Sequence, residues 1–170
     1  MEKDKMIKVR RADAKDAKEY LMFLHKLDSE TSFMLYEPGE RDTNEEDLKR
    51  KIHETNENSL LLVAESREKI VGFLSADREH VNRIKHSAYI VIGVRQSFRG
   101  KGVGKRLFEE LDKWAMENGI IRLELTVMIN NENGITLYRK MGFRVEGIKE
   151  KSCLVKGELV DEYYMAKILR

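Results

Sequence analysis

The chain predicts an α/β fold in which a sheet of mixed direction is flanked by helices. Three observations carry that expectation. The hydrophobic period changes from 3.6 residues to two and back along the chain. A strand-like run, a glycine-rich loop and an amphipathic helix follow one another over residues 86–118. The elements alternate in the order β-α-α-β-β-β-α-β-α-β-β, which stacks helices on a sheet. With 170 residues the chain is long enough to bury a full core, so one domain is expected over residues 1–170.

IKVRRA at residues 7–12 alternates as a short strand, and Asp13 then stands where a helix N-cap would, with Asp16 three residues later. Over residues 14–28, helical spacing puts Ala17, Tyr20, Leu21, Leu24 and Leu27 on one face. Periodicity lapses over residues 29–42, which hold the only proline, Pro38, beside Gly39, and an apolar group, Phe33, Met34, Leu35 and Tyr36, unusual for a loop. Thr43 and Glu46 have the spacing of a capping box opening a second helix. SLLLVAES and KIVGFLSAD then read as a hairpin turning at Arg67 and Glu68, and HSAYIVIGV is a third strand. The helix after the glycines ends at Asn118 and Gly119, followed by strand IIRLELTV. A short helix at residues 133–140 and strands near 143–150 and 162–169 complete the chain.

Composition excludes several classes. Hydrophobic residues at 41% against 36% charged are the balance of a globular chain, so disorder is not expected. No apolar run approaches the roughly 20 residues of a membrane span, and MEKDKMIKVRR lacks a signal peptide's apolar core, so no membrane partner and a cytoplasmic location are expected. The 32 basic and 30 acidic residues are interspersed, which argues against a nucleic-acid surface. The lone cysteine, Cys153, makes no internal disulfide, and four scattered histidines give no metal-ligand spacing.

The chemistry concentrates in SFRGKGVGKRLFEEL, where three glycines fall within five residues directly before a helix. The first N–H groups of a helix lack internal partners, and the helix dipole adds about half a positive charge there. Glycines let that backbone curl around an anion, with Arg99, Lys101, Lys105 or Arg106 as counter-charges. A phosphate or pyrophosphate is the natural guest. The P-loop pattern fails at Arg99 and Arg106, where it needs glycine and a hydroxyl residue. The dinucleotide pattern fails at Lys105, where it needs its third glycine.

Arg99-x-x-Gly102-x-Gly104 instead resembles the acetyl-CoA signature of the GNAT family of N-acetyltransferases. Two further pieces fall in order: Ile92, Gly93 and Val94, five residues before Arg99, and VMINNENGITLYRKMGF, with Asn131 and Tyr138 seven residues apart. The resemblance runs over nearly the whole chain, and its final stretch is similar to the branch of ribosomal-protein alanine and bacterial amino-acid acetyltransferases. It implies a mostly antiparallel central sheet of about six to seven strands with about four helices. It implies acetyl-CoA as donor, held by Ile92, Gly93, Val94, Arg99, Gly100, Lys101, Gly102, Val103, Gly104, Lys105, Asn131 and Tyr138. It also implies a small-molecule or peptide amine as acceptor and, from what is common in the family, a homodimer.

Acetyl transfer from a thioester needs a neutral amine, a place for oxyanion charge and a proton for the departing thiolate. A backbone N–H near Val94 would polarise the carbonyl. Tyr138 would supply the proton, since an ordinary phenol near 10 and a thiol near 8.5 are close in pKa; packing the short helix is its other reading. For the base, some relatives carry a glutamate where this chain has Thr126. Alternation puts Arg122, Glu124 and Thr126 on one strand face, making Glu124 a candidate beside His86, whose type titrates near neutral pH. A salt-bridged strand glutamate and a strand-edge histidine are the plainer readings of those two. A catalytically silent acyl-CoA-binding module would keep the glycine loop without needing Tyr138. The acceptor is expected to enter between residues 29–42 and residues 153–161.

Overall fold

The computed structural model describes residues 7–170. Residues 1–6, part of the stretch read above for a signal peptide, lie outside the described residues. β1 (Ile7–Arg11) leads to Asp13, whose carboxylate accepts from the Lys15 amide while Asp16 accepts from the Asp13 amide. This reciprocal cap starts a single 3₁₀ turn (Ala14–Asp16) that runs into α1 (Ala17–Glu30). The buried stripe of α1 holds Phe23, while the expected Leu21 is only half-buried. The rings of Tyr20, Phe23 and Phe73 pack together at centroid separations of 5.9–6.1 Å, and that trio sets the rotation of the helix.

α2 (Glu45–Asn58) is capped by Asn44, whose side chain accepts from the Asp47 amide at 2.8 Å. The expected cap at Thr43 is therefore displaced by one residue. Asn44 takes the extended cap conformation, and the start it selects puts Glu45, Glu46 and Asp47 in the first turn, where the helix dipole favours negative charge. β2 (Leu60–Ser66) and β3 (Lys69–Arg78) form the expected hairpin, with Arg67 and Glu68 both at positive φ, 48° and 61°.

β4 (Ser87–Val94), α3 (Val103–Glu117), β5 (Arg122–Met128) and α4 (Glu132–Lys140) follow as the periodicity implies. β6 (Arg144–Val155) and β7 (Glu158–Ile168) are longer than expected. Residues 153–161, read as a connection, are strand on either side of a turn at Lys156 and Gly157. The hairpin stands largely in solvent on both sides and its register shifts at two places, so no clean apolar alternation marks it.

The seven strands form one sheet in the order β1-β2-β3-β4-β5-β7-β6. Every neighbouring pair is antiparallel except β4 and β5. On one face, α1 and α2 cover β2 and β3 through Leu24, Leu27, Ile52, Val63 and Phe73. On the other, α3 and α4 bury Leu107, Phe108, Leu111 and Tyr138 against Leu74, Leu123 and Leu125. The parallel pair is short: Ser87, Ala88 and Tyr89 pair with Arg122, Leu123 and Glu124, and beyond them the strands part. That divergence leaves a cleft through the middle of the sheet.

Candidate functional site

The glycine loop opens at one end of the cleft. Gly102 caps α3 in the left-handed conformation at φ 79°, and Gly100 has φ 71°. Neither would bring a Cβ within 4 Å of another atom, so the space over both is open. The first ladder bond of α3 runs from the Arg106 amide to the Gly102 carbonyl at 3.1 Å, which leaves the amides of Val103, Gly104 and Lys105 outside the helical ladder. Val103 itself is buried, so only its backbone faces the loop. Arg99, Lys101 and Lys105 are exposed around this helix start. Gly104 lies against α4: a Cβ there would stand 2.7 Å from Leu137 Cδ2, so a larger residue would make that side chain shift.

The wall of the cleft is the free edge of β4. The Arg95 amide bonds to the Val71 carbonyl of β3 at 2.8 Å. Polar groups alternate along a strand, so those of Val94 and Ile92 point the other way, toward the departed β5. The Val94 carbonyl there accepts from Arg99 Nε at 3.2 Å. Gly93 faces the opposite layer, where a Cβ would stand 2.5 Å from Leu27 Cδ2. Its lack of a side chain lets α1 press onto β4.

Across the cleft, Asn131 caps α4, its side-chain oxygen accepting from the Gly134 amide at 3.0 Å. Its amide nitrogen makes no hydrogen bond to protein among the described residues. Tyr138 is buried, edge-on to Phe108 at 5.9 Å and packed on Phe143 at 6.2 Å. Burial pushes its hydroxyl up to about 12, with a smaller push from Tyr89. The phenol is therefore protonated at neutral pH and a weaker acid than an ordinary tyrosine.

Tyr89 belongs to the opposite face of the sheet, and its hydroxyl meets Thr126 Oγ1 at 2.7 Å where the strands begin to part. Arg122, Glu124 and Thr126 share that face, as alternation requires. Glu124 is held by Arg122 Nε at 2.6 Å, and both Nη atoms of Arg122 go to Glu146 of β6. The guanidinium holds the Glu146 carboxyl below the usual carboxylate range. His86 lies just before β4, roughly 26 Å along the strand from Val94 at the usual rise. The glycine loop thus follows the free edge of β4 into α3, and α4, which carries Tyr138 and is capped by Asn131, packs on α3 through Leu137 and Phe108; Glu124 lies on the opposite face of the sheet from Tyr138, and His86 lies at the far end of β4.

Several residues were not signalled by the motifs. Glu30 at the end of α1 accepts from Arg95 Nε at 2.8 Å and from the Gln96 amide at 2.9 Å, which pins the entry of the glycine loop. Asp28, buried, pairs with Arg41 at 2.7 Å and fixes the segment between α1 and α2, whose Met34 reaches Gly93. Arg41 also lies over the Tyr36 ring at 4.4 Å. Arg95 lies 65 residues from Glu30, and Glu146 lies 24 residues from Arg122, beyond any local pattern.

The pattern of the Acetyltransferase (GNAT) family matches residues 21–143. The chain is similar to L-amino acid N-acetyltransferase AaaT of Escherichia coli (strain K12), 37% identical over 103 residues that make up 58% of this chain and 62% of that one. It thus spans about three fifths of that relative's length. An acetyltransferase of the GNAT family from Streptococcus pneumoniae has the same fold, with a TM-score of 0.92 at 29% identity over 96% of this chain and 99% of that one. The yncA protein of Salmonella typhimurium, solved with its cofactor acetyl-CoA, superposes at a TM-score of 0.86 over 97% of this chain and 95% of that one. At 18% identity, that last likeness concerns the fold alone.

Proposed function

The chain belongs to the acetyltransferase (GNAT) family, and from that premise we propose that it transfers the acetyl group of acetyl-CoA to a primary amine. The acceptor is a small molecule, an amino acid or a protein N-terminus. The observation that supports this reading is the free edge of β4 leading into a glycine-led helix start: an edge able to pair with an amide-bearing arm runs directly to the unpaired amides of α3, which are able to hold a phosphate.

The amides of Val103, Gly104 and Lys105 hold the pyrophosphate, with Arg99, Lys101 and Lys105 as counter-charges. The backbone of Ile92 and Val94 pairs with the amide-bearing arm, and Asn131 turns its side-chain nitrogen to it. A Val94-side N–H takes the oxyanion charge as the amine nitrogen attacks the acetyl carbon; a C–N bond forms and the C–S bond breaks, its electron pair leaving on sulfur. Burial keeps the Tyr138 phenol protonated at neutral pH, so its proton is available to the sulfur as the C–S bond breaks. Tyr138 therefore acts by donating a hydrogen bond to the developing thiolate. The amine's proton goes to the Glu124 carboxylate, directly or through water, on the face where Tyr89 and Thr126 meet, and the thiolate leaves as the anion hydrogen-bonded by Tyr138. The same reading keeps the protein in the cytoplasm as a single-domain homodimer, on resemblance to the family.

Acetyl-CoA should raise the melting temperature, because a ligand selective for the folded state stabilises it by mass action. With an amine panel, thiol release should follow. No shift at millimolar acetyl-CoA refutes the reading; a shift without thiol release from any amine makes the protein a silent acyl-CoA binder.

A further inference from the structure

On the face opposite Tyr138, a cavity of about 400 Å³ is bounded by Tyr89, Arg122, Glu124, Thr126, Glu146 and Tyr164. It reaches the place where β4 and β5 part, at the Tyr89–Thr126 contact, and so adjoins the cleft. Its charge is unusual for a pocket that would take an amino acid. Arg122 is the one cation in the lining, and all three of its guanidinium nitrogens are engaged: Nε by Glu124 at 2.6 Å, Nη1 by Glu146 at 3.1 Å and Nη2 by the other Glu146 oxygen at 2.5 Å. A free carboxylate entering the cavity finds no unoccupied guanidinium edge. One guanidinium against two carboxylates leaves a negative charge over, and both carboxylates are more than two-fifths exposed, against 29% for the arginine. Asp77, in register with Tyr89 and exposed on the same face, adds another negative charge. Arg144 also acts on Glu146 but does not line the cavity. Tyr89 and Tyr164 supply aromatic surface, which attracts ammonium groups.

We propose that this cavity seats the acceptor and selects a cationic amine without a carboxylate, of the aliphatic diamine class, over the corresponding α-amino acid. The inference rests on the acetyl-transfer reading above and names its acceptor. Arg122 serves as a bolt between two carboxylates: it holds Glu124 and Glu146 in place while leaving the wall net negative.

The experiment compares kcat/KM for cadaverine against lysine and agmatine against arginine, pairs that differ by one carboxylate. The decarboxylated member of each pair should be favoured by about tenfold or more, the scale of one like-charge contact near a protein surface. In Glu146→Gln, which keeps the shape but frees part of Arg122, the preference should shrink several-fold as KM for lysine falls. Melting curves establish that the variant is folded, and Glu124→Gln provides the same test from the other side of Arg122. Equal or better use of the amino acids, a preference unchanged in both variants, or turnover confined to amines outside these pairs overturns the proposal while leaving acetyl transfer standing. Absence of any acetyl-CoA-induced melting shift instead removes the acetyl-transfer reading, and this one with it.

Discussion

A tyrosine hydroxyl pushed up to about 12 is a poor acid but a good hydrogen-bond donor, and the difference is measurable at Tyr138. Tyr138→Phe removes one oxygen and keeps the ring against Phe108 and Phe143. Turnover should fall about 10²–10³-fold, the usual loss for one donor to developing charge, with acetyl-CoA affinity little changed. A drop in kcat of less than about threefold would mean that the ring only packs α4. The glycines separate by the same kind of reasoning. Gly102→Val forces a side chain into left-handed φ over open space, so binding should be lost while the melting temperature changes by only a few degrees. Gly104→Val drives a side chain into Leu137 and should lower the melting temperature well beyond the Gly102 variant. Equal melting temperatures for the two would refute the distinction between a cradle glycine and a packing glycine.

Helix starts show how close alternatives are decided at the level of elements. Thr43 and Glu46 have the spacing of a cap, yet Asn44 does the capping, because asparagine accepts from the third amide at least as well as threonine and its start brings three acidic residues to the positive end of α2. Asn44→Ala should cost about 1 kcal/mol of stability, whereas Thr43→Ala should be within experimental scatter of the parent. Chemical denaturation of the two variants checks this, and the reverse order would restore the cap to Thr43. The long β6–β7 hairpin illustrates the opposite case. Where both faces of a strand meet water, apolar alternation disappears, and only hydrogen bonding to a neighbour reveals the strand.

The whole molecule places an edge strand, β6, at one end of the sheet, with Ile148 and Leu154 exposed on it and Leu159 beside them on β7. Exposed apolar side chains grouped at the end of a sheet offer a surface that a second copy can cover. The homodimer reading therefore predicts a mass of twice the chain by sedimentation at about tens of micromolar, and a monomer once Ile148 and Leu154 are replaced by lysine. A clean monomer for the parent chain would overturn it.

By itself the sequence determined the order of elements, the glycine-led helix start and the spacing of Asn131 and Tyr138. Each is written within a few neighbouring residues: a hydrophobic period, a backbone that must turn to positive φ, two side chains on one short helix. The tertiary structure alone decided that β7 inserts between β5 and β6, that β4 and β5 part after three residue pairs, and that Arg122 meets Glu146 as well as Glu124. It also showed that Gly93 sits where Leu27 and Phe73 leave no room for a side chain. Such contacts follow from burying both faces of one sheet at once. They join residues far apart in the chain, and no local period encodes them.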